Sequence, residues 1–168
     1  MGSYTIIRMS DWKPELDAIV GARHGGQIEH VLGLLQKLDG RHPNVAEINY
    51  QLAWTLDVLG RPAEAIPLYE KAVALGLSPG ELSGAFIGLG ATLRATGQAA
   101  RAVEVLETGR RQFPENREFE VFLSMALHSA GRHAEAMQLV LTTLVETSED
   151  LGISAYQRAI RYQAGQLQ

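Results

Sequence analysis

The sequence predicts an all-α protein, a solenoid of stacked antiparallel helical hairpins with about four hairpins and a C-terminal capping helix. Three observations predict it. Gly60-Arg61-Pro62-Ala63-Glu64-Ala65, Gly97-Gln98-Ala99-Ala100-Arg101-Ala102 and Gly131-Arg132-His133-Ala134-Glu135-Ala136 align, with their glycines 37 and 34 residues apart, and self-similarity at such a period marks a repeat architecture. Ahead of each glycine stands a leucine pair, Leu52 and Leu56, Leu89 and Leu93, Leu123 and Leu127. Leucines four apart share one helix face and require burial. Each match ends on an alanine, followed four residues on by a larger side chain, Tyr69, Leu106 or Val140.

These features describe one unit. Glycine accepts the left-handed conformation that closes a helix. A second helix then starts, with alanine where it must approach the first closely. Such a hairpin cannot bury both faces alone, so it stacks on copies of itself. The well-formed repeats cover 44–79, 81–115 and 117–147.

Taken in order, the pattern predicts helices near 13–23, 27–39, 45–59, 62–75, 81–96, 99–112, 117–130, 133–147 and 151–164, within one domain spanning 1–168. Met1–Ser3 is left out of the fold, and residues 4–9 are too short to assign. Residues 11–40 read as a degenerate first hairpin. Ser10 or Asp11 caps its first helix, Pro14 falls in the opening turn, and His24-Gly25-Gly26 makes the bend. Ile28, Val31, Leu32, Leu35 and Leu38 form the apolar face of its second helix. Pro67 falls inside the helix that starts near Pro62, which predicts a later start or a kink, since an interior proline removes a backbone hydrogen bond. Beyond 147, Ser148 is the expected N-cap of a capping helix over 149–166. Ile153, Tyr156, Ile160 and Leu167 would face inward there, with Arg158 and Arg161 on a polar outer face.

Composition narrows the function. The chain has 168 residues, a formal net charge of -4 and no cysteine. The charge is of the wrong sign for a dedicated nucleic-acid binder, and the arginines are scattered. Without cysteine there is no disulfide, thiolate nucleophile or thiolate metal site, which fits a reducing compartment and a cytoplasmic location. No run approaches the roughly 18 apolar residues of a membrane-spanning helix. Gly88-Leu89-Gly90 lies mid-helix and lacks a third glycine, so it is no phosphate loop. No two of His24, His30, His42, His128 and His133 stand four apart, and His128 and His133 straddle a predicted turn. The expectation is therefore no metal, no cofactor and no catalysis.

The repeats resemble the tetratricopeptide-repeat (TPR) family, whose pattern is W-x2-L-G-x2-Y, then A-x3-F, then P. The chain has Asn49-x2-Leu52-Ala53-x2-Leu56 with Ala65-x3-Tyr69. It has Phe86-x2-Leu89-Gly90-x2-Leu93 with Ala102-x3-Leu106 and Pro114. It has Glu120-x2-Leu123-Ser124-x2-Leu127 with Ala136-x3-Val140. Asn49 and Glu120 depart from the pattern, which has a large apolar residue there, and two repeats lack the proline. The resemblance, to a short stand-alone TPR protein, implies a right-handed solenoid. It also implies a concave groove, lined by the first helix of each repeat, that holds a partner peptide or helix. By position, the groove residues would be Glu47, Tyr50, Trp54 and Asp57, then Ile87 and Arg94, then Val121, Met125 and His128. Trp54 lies off the Leu52/Leu56 face, so it either lines the groove or packs on a neighbouring repeat. Self-assembly is the alternative role. Val31-Leu32-Gly33-Leu34-Leu35 is apolar nearly all round, which makes Leu32 and Leu34 candidates for a homodimer interface.

Overall fold

The computed structural model describes residues 12–167. The expected caps Ser10 and Asp11 and the unassigned residues 4–9 lie outside them. Every regular element among the described residues is helical, and the chain divides into two compact units between Leu77 and Ser78.

The N-terminal unit holds α1 (Trp12–Gly21), a short 3-10 turn (Ala22–Gly25), α2 (Ile28–Arg41), α3 (Ala46–Val58) and α4 (Pro62–Leu75). The degenerate hairpin is a real one. Pro14 sits in the first turn of α1, and Gly26 turns the chain with φ 77°. Val31, Leu32, Leu35 and Leu38 are buried along one face of α2. Leu32 is thus core, while Leu34 is half-buried. The helix runs apolar nearly all round because it is covered on more than one side, so a charge at Leu32 would disrupt the fold before it reached any interface. α4 starts at Pro62 and runs through Pro67, which removes the later start as one of the two alternatives. Pro67 and Ala63, whose carbonyl loses its helical donor, are both exposed, so water can satisfy that carbonyl.

The C-terminal unit holds α5 (Pro79–Ala95), α6 (Ala99–Gln112), α7 (Glu118–Ser129), α8 (His133–Thr147) and α9 (Leu151–Ala164). α5 packs on α6 and α7, α6 on α7, α7 on α8, and α8 on α9.

The three aligned glycines do the same thing in the same way. Gly60, Gly97 and Gly131 have φ of 70°, 80° and 80°. The next residue's N–H reaches back to a leucine carbonyl each time: Arg61 to Leu56 at 2.9 Å, Gln98 to Leu93 at 2.8 Å, Arg132 to Leu127 at 2.9 Å. This closes the first helix of each hairpin and fixes where the second begins. All six paired leucines are buried, as are Ala65, Ala102 and Ala136. At Gly90 an added Cβ would lie 2.4 Å from Leu106 Cγ, so the small residue after the leucine marks the contact of α5 with α6.

Both departures from the repeat pattern are buried polar groups with partners. Asn49 Nδ2 donates to the Val45 carbonyl at 2.7 Å. Glu120 Oε1 lies 3.4 Å from Arg110 and 3.3 Å from Arg117. One polar atom of each side chain is thus paired, while Asn49 Oδ1 and Glu120 Oε2 are buried without a hydrogen-bond partner among the described residues.

The end of the chain departs from expectation. Asp150, not Ser148, caps α9, accepting a hydrogen bond from the Ile153 N–H at 2.9 Å. Arg158 and Arg161 are exposed as expected, but so are Leu151, Tyr156 and Tyr162, and Ala164 is the sole buried residue of α9. Val140 is also exposed, although its counterparts Tyr69 and Leu106 are buried. Leu106 meets α5 at Gly90, whereas α9 leaves Val140 on α8 uncovered.

Candidate functional site

The uncovered side of α8 forms an open cavity of roughly 390 Å³ with α7 and the end of α5. Its wall is Met125, Ala136, Met137 and Val140, and its polar rim is Arg94, Ser124, His128, Ser129 and His133. Met125, Met137 and Val140 all stand in water, unusual for three neighbouring apolar side chains in a small unit. No carboxylate lines the cavity, and Arg94 makes no ion pair among the described residues. The site therefore offers an apolar floor beside cationic and hydrogen-bonding groups.

The turn between α7 and α8 brings His128 and His133 together. Their Nδ1 atoms are 3.1 Å apart and their ring centroids 4.6 Å. One Nδ1 donates and the other accepts, so the sequence separation of five conceals a direct contact. Among the described residues no cluster of three or more His, Asp or Glu is placed to hold a metal.

In the N-terminal unit the candidate residues already have partners within the fold. Glu47 is 3.0 Å from Lys13 on α1, an ion pair that raises the lysine's pKa. The Tyr50 ring lies 6.2 Å from that of buried Tyr69, whose phenol burial pushes well above its ordinary range. Asp57 is half-buried near the same phenol and adds to that shift. Trp54 is half-buried, and the Arg23 guanidinium lies 4.0 Å over its ring. Arg23 also donates to Gln51 Oε1 at 2.7 Å and to Thr55 Oγ1 at 3.4 Å. Burial is the largest influence on Arg23 and lowers its pKa, and the indole face replaces some of the lost hydration.

A family model described as tetratrico peptide repeat matches residues 46–167, from the first residue of α3 to beyond α9. The chain belongs to the tetratricopeptide repeat family. Three solved structures share the fold. MamA of Desulfovibrio magneticus RS-1 (residue 41 to the end) is 21% identical, with 94% of this chain and 91% of that one covered and a TM-score of 0.68. YrrB, described as a TPR protein with an unusual peptide-binding site, is 19% identical over 94% of this chain and 79% of its own, TM-score 0.71. TPR-like repeats of a Podosopora anserina kinesin light chain are 20% identical over 92% and 90%, TM-score 0.65. At these identities the likeness concerns the fold alone. No curated protein matches the chain.

Within this TPR protein, Arg94, Met125 and His128 meet in one cavity, whereas Ile87, half-buried on α5, and Val121, exposed on α7, do not line it. Glu47, Tyr50, Trp54 and Asp57 belong to the other unit. The residues that sequence reasoning missed, His133, Met137 and Val140, come from the second helix of the last TPR, which the family pattern assigns to packing. Their signal was present in Met137, Val140 and Leu144, an apolar stripe beyond what Ala136 and the pattern position require. The Arg23 stack predicts a structural role for the indole. Trp54→Ala should lower stability by about 2 kcal/mol, read as a lower urea midpoint. An unchanged midpoint would show that the stack contributes nothing to the fold.

Proposed function

We propose that this chain is a non-catalytic TPR interaction module that docks an apolar side chain of a partner peptide or helix in the α7–α8 cavity. The observation that carries the reading is the exposure of Met125, Met137 and Val140 around one cavity beside Arg94, which makes no ion pair among the described residues. Met and Arg are enriched in protein interfaces, and arginine is also enriched among the residues that dominate binding energies. Methionine adapts to varied apolar shapes. An arginine beside an apolar floor favours a ligand whose apolar side chain neighbours a carboxylate, since the guanidinium fork pairs with two oxygens. Burying one leucine-sized side chain contributes about 1.5–3 kcal/mol, and a hydrogen bond to a charged group about 1.5–3 kcal/mol. After the cost of association, such a contact is weak and reversible.

An immobilised random-peptide library tests the reading. The wild type should enrich peptides with a leucine or similar residue next to Asp or Glu. Met137→Glu, an exposed position that leaves the core alone, should weaken their binding by about tenfold or more. Absence of enrichment, or equal binding by Met137→Glu, would contradict it. Self-assembly, the second reading, is favoured by the exposed apolar stripe of α8 that continues past this cavity.

A further inference from the structure

Leu151 is 86% exposed, the most exposed large apolar side chain among the described residues. It opens α9 directly after Glu149 and Asp150. Asp150 is occupied as the helix cap, and Glu146 faces Arg117 and Arg161. Glu149 is exposed and makes no ion pair among the described residues. The chain thus carries, two residues apart, an exposed carboxylate with no ion pair among the described residues and a leucine in water. That is the chemistry the α7–α8 cavity lacks: apolar bulk for Met125, Met137 and Val140, and negative charge for Arg94.

We propose that the occupant of the cavity is Leu151 of a second copy of this chain, with Glu149 of that copy paired to Arg94, in a two-fold arrangement. The proposal rests on reading the cavity as a docking site and names its partner. The geometry of α8 supports the symmetry. Met137, Val140 and Leu144 are spaced three and four apart, fall on one face of the helix and are exposed. Set antiparallel against the same face of a second α8, this stripe can pair with itself about a two-fold axis, and Leu151 stands just past the end of that helix, where α9 begins. In the proposed pairing each copy receives its partner's Leu151, so the contact is made twice. A two-fold interface requires this self-complementarity, in which residue i meets j and j meets i. Glu149 stands two residues before Leu151, so a copy that inserts Leu151 brings a carboxylate with it for Arg94. The exposed Val140, the uncovered cavity and the exposed Leu151 then have one explanation, a TPR end sealed by its own copy instead of by α9.

Sedimentation equilibrium of the full chain tests the proposal. The wild type is expected to dimerise at micromolar concentrations. Arg94→Glu and Glu149→Arg should each weaken the dimer by about tenfold or more, because each sets like charges against one another. The double variant, with the pair reversed, should recover most of the loss. Leu151→Asp should also give a monomer, with unchanged circular dichroism because the side chain is solvent-exposed. A wild type that is monomeric at about 100 µM would overturn the proposal. So would dimerisation unaffected by these changes, or a double variant no better than the worse single one. The library experiment is read on Met137→Glu, so peptide binding by a monomeric wild type would sink self-pairing alone and leave the docking site standing.

Discussion

Replacing Gly109 by leucine should destabilise the protein by about 3 kcal/mol, the upper end of what overpacking a core costs. Gly109 lies inside α6, where glycine is intrinsically worse than alanine by about 1 kcal/mol. The contact with α7 explains its presence. A Cβ there would stand 2.2 Å from Cε1 of Phe119 and 2.7 Å from Cζ. Phe119 is fully buried and stacked parallel to Phe113, centroids 6.2 Å apart, so the ring has nowhere to retreat. For a chain of this length the loss corresponds to a fall in melting temperature of roughly 6–12 °C. Gly109→Ala should already be destabilising. Gly33→Ala is the control, since a Cβ on that α2 glycine meets nothing within 4 Å, and it should stabilise by up to about 1 kcal/mol. Opposite signs at two helical glycines would tie the effect to Phe119. If both substitutions stabilised, the α6–α7 packing described here would be wrong.

Ala102→Leu should cost about 2–3 kcal/mol by a related route. Ala102 is completely buried on α6. It lies one turn before Leu106, on the same face, and Leu106 is the side chain that meets α5 at Gly90. Three further carbons at residue 102 would wedge α5 and α6 apart in a repeat whose register depends on that approach. Ala100→Leu, two residues away on the exposed face, should leave the melting temperature within about 2 °C, since exposed substitutions rarely exceed 0.5 kcal/mol. Equal melting temperatures for the wild type and Ala102→Leu would show that the repeats are aligned incorrectly.

The hairpins were legible in the sequence because their determinants are local. Leu52/Leu56 and its equivalents set the buried face. Gly60, Gly97 and Gly131 set the helix ends, through φ values that other residues rarely adopt. Ala65, Ala102 and Ala136 set the close approach. The helices over 62–75, 99–112, 133–147 and 151–164 have the same bounds in sequence and structure for this reason. What was hidden depends on contacts between distant segments. Nothing near Trp54 in sequence announces Arg23, which arrives from another hairpin. Gly109 gave no sign of Phe119 ten residues on, because its meaning lies across a helix–helix contact. The cavity was half-legible: repeat position pointed to Arg94, Met125 and His128, but Met137 and Val140 looked like packing residues. Their exposure follows from where α9 packs, which no local pattern encodes.

Methyl NMR on methionine tests the central claim most directly. The chain has four methionines, and Met125 and Met137 line the cavity. With selectively 13C-labelled methyl groups, titration of a peptide enriched by the wild type should shift the signals of Met125 and Met137 together, with one dissociation constant. Both signals are assigned beforehand by single Met→Leu substitutions. A peptide that binds, as judged by its own line broadening, while leaving both methyl signals in place would contradict docking in the α7–α8 cavity.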